Sequence, residues 1–306
     1  MTDTRLLHTV GVRALEWLWA HRDGFRLESG VDPEIGFLER FKPVGELAQI
    51  CAVLFREGVA GSRQAELARG LLDHAWRETL DGGRMLVRGQ RIEPLSPIPG
   101  EVYLPFRELG HRMPDLERYV LLNHRLASST ACETKPNRRL GLSAFQRRFG
   151  LTPRPQEHEV LPSTWLARTP EPWTVEGHIA YDVTHTVFHL TRWGEDPDGL
   201  PPRLADYLAA WLPVWLDDWR DLRRWDLLGE LLVVDACLPR PTLDEAAWTA
   251  FAGAQQPDGA VPAVGDLPAV DDPQDLFDVV YHPTLVAAFA STLATSRSLS
   301  ALARAS

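Results

Sequence analysis

Apolar side chains return every three or four residues along almost the whole chain, the spacing that lays a stripe on one face of an α-helix. Between Arg5 and Arg22 the stripe is broad: Leu6, Val10, Val12, Leu15, Trp17, Leu18 and Trp19. The same spacing predicts helices over 43–56, 62–79, 114–127, 137–149, 173–193, 201–219, 225–238, 243–255 and 277–295. Ser62 is suited to cap the second of these, with Glu66 in the turn behind it. Two stretches break the pattern. Arg84–Ile92, preceded by Asp81-Gly82-Gly83, reads as a hairpin arm too isolated to found a sheet. Glu93–Gly110, with Pro94, Pro97, Pro99 and Pro105, reads as an irregular proline-rich connection.

Turn signals such as Gln256-Pro257-Asp258-Gly259 separate the helices, and no low-complexity linker divides the chain. Residues 296–306 read as a tail that frays. The expected fold is a single all-α domain over 1–306, built from helix pairs. These would close into an α/α toroid or stack as an open helical solenoid.

Composition changes the picture in three ways. A hydrophobic content of 44% with 11 Trp and 11 Phe supplies a large core and excludes global disorder. A net charge of −10 opposes binding to nucleic acid or to an anionic membrane surface. Three cysteines, Cys51, Cys132 and Cys237, imply no disulfide framework and suit a reducing cytoplasm. No run approaches the roughly 18 apolar residues of a membrane span, so the expectation is a soluble cytoplasmic protein.

Two groups of residues carry candidate chemistry. Asp235-Ala236-Cys237 is followed 45 residues later by Tyr281-His282-Pro283. A carboxylate, a thiolate and an imidazole with one position left open form a catalytic zinc pattern, whereas structural sites are usually closed by four Cys or His. Pro283 suits the first turn of a helix beginning there. Taken singly, Cys237 also reads as a small buried hydrophobe and His282 as a hydrogen-bonded core histidine. The second group is His178, Asp182, His185 and His189, at intervals of four, three and four residues. A helix places these on one face, with Ile179, Ala180, Val183, Val187 and Leu190 on the others. The stripe lines a cavity or faces solvent. Asp182 stands where it would orient His185, and His189 where it would share a metal with it.

The C-terminal motifs also carry a resemblance. Leu232-Val233-Val234-Asp235-Ala236-Cys237 resembles the helix that donates Asp and Cys to zinc in protein prenyltransferase β-subunits. Asp278-Val279-Val280-Tyr281-His282-Pro283-Thr284-Leu285 is similar to the element that donates His, with Pro283 where that family has Thr. Between them, Ala254-Gln255-Gln256-Pro257-Asp258-Gly259 resembles the turn that repeats in the superfamily. Those subunits are α/α toroids related in fold to terpene cyclases. The resemblance, over the last 80 or so residues, implies a toroid with zinc on Asp235, Cys237 and His282. The expected activity is that of a metal-dependent enzyme acting on a small, mostly apolar substrate in a central cavity, with isoprenoid-type or cyclisation chemistry. His185 would be a fourth ligand or a general base. The alternative is a non-catalytic helical-repeat module that binds a protein or peptide.

Overall fold

A computed structural model describes residues 3–27, 40–58 and 62–305. Among them are thirteen α-helices and no strand. In chain order these are α1 (Thr4–Ala20), α2 (Phe41–Glu57), α3 (Arg63–His74), α4 (Arg84–Ile92), α5 (Ile98–Glu108), α6 (Pro114–Arg125) and α7 (Pro136–Phe149). There follow α8 (Glu157–Val160), α9 (Gly177–Leu190), α10 (Pro202–Asp221), α11 (Trp225–Cys237), α12 (Glu245–Ala254) and α13 (Pro273–Ala305). The chain is all-α, as its periodicity requires.

Local chemistry explains the boundaries. The Asp3 carboxylate accepts from the Arg5 amide at the start of α1, and the Ser62 hydroxyl from the Ala65 amide at the start of α3. Each removes one of the donors a helix leaves unpaired at its N-terminus. In α1 the buried face is Leu7, Val10, Ala14, Leu15, Trp17 and Leu18, close to the stripe read from the sequence.

Four expectations are corrected. Arg84–Ile92 is helix α4 rather than a hairpin arm. Its two glycines take left-handed backbone (φ +63° at Gly82, +91° at Gly83), and they turn the chain into a helix start instead of between strands. The proline-rich stretch holds helix α5, because Pro97 precedes the helix and Pro99 lies in its first turn, where no amide donor is needed. Pro105 alone is interior. Helix α13 begins at Pro273, ten residues before Pro283, so His282 lies inside a long helix and not at its start. Pro283 deprives the Val279 carbonyl of its donor, and Val279 is exposed, where water can take that place. The tail is helical through Ala305, with Ser306 outside the described residues. Arg297 anchors it by donating to the carbonyls of Ala236 (3.0 Å) and Gly194, and the Ser296 hydroxyl donates to Glu57 (2.7 Å).

Six helices form successive neighbours. Helix α2 packs on α5, α5 on α7, α7 on α9, α9 on α11, α11 on α13, and α13 on α2. Helices α1, α3, α4, α6, α10 and α12 pack against members of this set. Among the described residues, α13 is the helix long and apolar enough to cross a membrane by length and composition, but 78% of its apolar window is buried within the protein. Helix α1, α2 and α11 cover it, which is the setting of a core helix.

The turn before α13 shows how tightly these layers meet. Gly259 has φ +108°, and a Cβ there would stand 2.1 Å from the carbonyl oxygen of Arg13 on α1. The contact is backbone on backbone, so no side chain can yield. Gly259→Ala is therefore expected to destabilise the protein by roughly 2–4 kcal/mol, combining left-handed strain with overpacking. Urea denaturation measures this, and a loss below about 1 kcal/mol would mean that the turn moves freely.

Candidate functional site

Helix α11, Trp-Asp-Leu-Leu-Gly-Glu-Leu-Leu-Val-Val-Asp-Ala-Cys, is buried at all thirteen of its positions. Apolar residues all round explain that burial. Its three acids, Asp226, Glu230 and Asp235, are thereby taken out of water and must find partners. Asp226 and Glu230 are one turn apart and point the same way. Gly229 lies between them, where a Cβ would meet Val286 of α13 at 2.8 Å, so the two helices approach closely.

These two acids meet His282 of α13. Its Nε2 lies 3.4 Å from Asp226 Oδ1 and 3.5 Å from Glu230 Oε1, and its Nδ1 is 3.0 Å from Glu46 Oε2 on α2. Burial alone would lower the His282 pKa. The charge of Glu46, hydrogen bonds to Glu230 and Glu46, and the charge of Asp226 overrule it and hold the ring well above its ordinary 6.5. His282 is thus held as an imidazolium, hydrogen-bonded through Nδ1 to Glu46 and with Nε2 facing Asp226 and Glu230. Lys42 stands 3.8 Å from Glu46, at the outer side.

Helix α9 closes the cluster. The Tyr181 hydroxyl donates to Asp226 Oδ2 and the Thr184 hydroxyl to Glu230 Oε2. Burial, then the charge of Asp226, pushes the Tyr181 phenol above its usual range. Burial raises the Asp226 pKa, opposed by His282. Glu230, only 2% exposed, is pushed up by burial but pulled further down by His185, His282 and Thr184, and ends below 4.5. Two neighbouring carboxyls are thereby driven in opposite directions.

His185 lies beside them, 37% exposed, with Nδ1 3.8 Å from Glu230 Oε2. That nitrogen is 2.8 Å from the Tyr181 carbonyl, which can only accept, so Nδ1 carries the proton. In the neutral ring Nε2 then holds a bare lone pair. The rings of Phe188 (5.5 Å from His185) and Tyr281 (6.3 Å from His282) flank the site.

The residues singled out from the sequence are distributed as follows. His282 and His185 come together, both next to Glu230. His185 is oriented by the Tyr181 carbonyl rather than by Asp182, whose own carbonyl accepts from Asn137 and Thr186. His189 packs edge-on to Trp193 and against Gly141; burial, then the charges of His185, Arg138 and Arg148, lowers its pKa to about 3. His178 is exposed and paired with Glu176 at 2.7 Å.

Asp235, Cys237 and His282 are not brought together. Both Asp235 oxygens are occupied by the loop after α11: Oδ1 by the Thr242 amide and hydroxyl (2.9 Å each), Oδ2 by the Leu243 amide (2.7 Å). Burial raises the Cys237 pKa to about 12. Arg297 bonds the carbonyl of Ala236, beside Cys237, and His282 is fifteen residues earlier on that same helix, about 22 Å along its axis. The reason is orientation. Helices α11 and α13 run side by side in the same direction, so the end of α11 meets the end of α13 and not its beginning. The triad does not fit a shared zinc ion. Among the described residues no three His, Cys, Asp or Glu side chains are placed to hold a metal.

The chain belongs to a family described as a domain of unknown function, DUF6895, which matches residues 11–292. No curated protein and no solved structure matches it.

Proposed function

We propose that this protein is an enzyme that stabilises positive charge on a small, mostly apolar substrate and then removes a proton from it. In this reading α2, α5, α7, α9, α11 and α13 form the inner ring of an α/α toroid. Support comes from their successive contacts, which return from α13 to α2. Glu46, Tyr181, His185, Asp226 and His282 then share one end of that ring.

One observation carries the chemistry. Three carboxylates, Glu46, Asp226 and Glu230, converge on a single imidazolium, His282, and His185 sits next to them with its Nε2 lone pair available. Three carboxylates against His282, with Lys42 beyond Glu46, leave the site negative, and aromatic rings flank it. Both features favour a developing cation. His185 is the group suited to take the proton.

Choline and its neutral isostere 3,3-dimethylbutan-1-ol form a test pair, since they differ in charge and little else. Choline is expected to bind at least about tenfold more tightly, a difference of roughly 1.4 kcal/mol. That preference should shrink in Glu46→Gln. Equal affinity for the two probes would remove the electrostatic basis of the proposal.

A further inference from the structure

A second cleft lies away from the carboxylate cluster, where α2, α5, α7 and α9 end. It is a half-open cleft of about 350 Å³, lined by Arg56, Arg147, Arg148 and Arg192 with Glu108, Glu195 and Gln49. That volume falls within the roughly 300–1,000 Å³ of small-molecule sites. Along α2, Arg56 is ten residues from Glu46, about 15 Å by helix rise.

The four guanidinium groups are not equivalent. Arg148 is bound through Nε and Nη2 to both oxygens of Glu108, and through Nη1 to Gln49 (2.9 Å). Arg56 donates to Glu57 and to the carbonyls of Arg192 and Trp193. These two build the walls. Among the described residues, Arg147 commits only Nη2, to Glu157 at 2.7 Å. Arg192 makes no side-chain hydrogen bond or ion pair among the described residues.

The position of Arg192 is fixed by its backbone. Arg192, Trp193 and Gly194 are three consecutive left-handed residues, with φ +51°, +58° and +83°. Such a run persists only when its surroundings hold it. Here Arg56 takes the carbonyls of Arg192 and Trp193, and Arg297 that of Gly194. The Trp193 ring is stacked on Phe188 at 5.3 Å. A strained, clamped turn thus presents to the cleft a guanidinium that no described residue engages, beside the half-committed one of Arg147.

We infer that this cleft binds a small oxyanion, a phosphate or a carboxylate group, between Arg147 and Arg192. Planar guanidinium forks match both groups. Glu195, on the same wall as Arg192, limits the charge the site tolerates and favours a small ligand over an extended polyanion. The site is independent of the chemistry proposed for His185 and His282.

Isothermal titration of the full chain with inorganic phosphate and with succinate, at low ionic strength, tests the inference. At least one is expected to bind, and which of them does so identifies the group. Affinity should fall about tenfold in Arg192→Gln and in Arg147→Gln, and should weaken as salt is added. Arg192 is exposed, so its substitution leaves the core intact. Arg223→Gln, which removes a surface partner of Asp266, should bind like the parent. Failure of both probes at about 10 mM, a level that detects even weak sites, would overturn the inference. So would binding that neither arginine substitution alters.

Discussion

His282→Ala is expected to cost about 3–5 kcal/mol of stability, the range seen when one partner of a buried ion pair is removed. The substitution takes away the side chain that faces both Asp226 and Glu230 and leaves the two acids on a fully buried helix. The loss depends on pH, and its direction is fixed. The folded-state pKa of His282 is raised above 6.5, so its contribution is complete below about that pH and is lost as pH rises through the raised value. Glu230 is lowered below 4.5, so its contribution is present above 4.5 and is lost as pH falls through the depressed value. The gap between parent and variant should therefore be widest near pH 5–6.5 and close toward both extremes. A second substitution keeps the test clean. In a Glu230→Gln background the cost of His282→Ala should fall by more than about 1 kcal/mol, as coupled neighbours require. A pH-independent loss below about 1 kcal/mol would show that the carboxylates do not depend on His282.

Much of the fold was legible because helical burial writes a period into the chain. Ten stretches read as helices contain helices, and Ser62 caps as expected. The misreadings came from residues with two meanings. Gly82-Gly83 turns a chain into a helix as readily as between strands, and a proline ahead of or within a first turn starts a helix rather than preventing one. The site was half legible. His185 stands out by its spacing and His282 by its resemblance, but neither signal names Glu230, the side chain that both approach. The missing signal was Glu230. An ionisable residue in the run Leu227-Leu228-Gly229-Glu230-Leu231-Leu232-Val233-Val234 has no polar face to lie on. It must be buried and paired, and Asp226 one turn earlier marks the same side. Glu46 carried no such mark. It lies on an ordinary amphipathic helix and becomes notable only because α2 packs on α13.

The largest functional effect is expected at His185. If the ring accepts a proton from the substrate, His185→Ala should lower turnover about 10²–10⁴-fold, the usual contribution of a positioned base. The geometry makes a prior demand that needs no substrate. Nδ1 donates to the Tyr181 carbonyl, so neutral His185 must carry its proton there, with Nε2 bare; His282, facing carboxylates from both nitrogens, must carry two. Nitrogen-15 spectra of labelled protein distinguish these states directly, and His185→Ala and His282→Ala assign the signals. A His185 ring protonated on Nε2 instead would leave no lone pair facing outward, and the base would be lost with it. Glu230 supports the role through charge, 3.8 Å from Nδ1. It stabilises the imidazolium formed when Nε2 accepts a proton, as a carboxylate behind a histidine does. Glu230→Gln should therefore lower turnover while leaving the His185 tautomer unchanged, because the Tyr181 carbonyl still fixes it. If Glu230→Gln flips the tautomer, the carboxylate orients His185 as well as polarising it, and the assignment of Tyr181 as the orienting group fails.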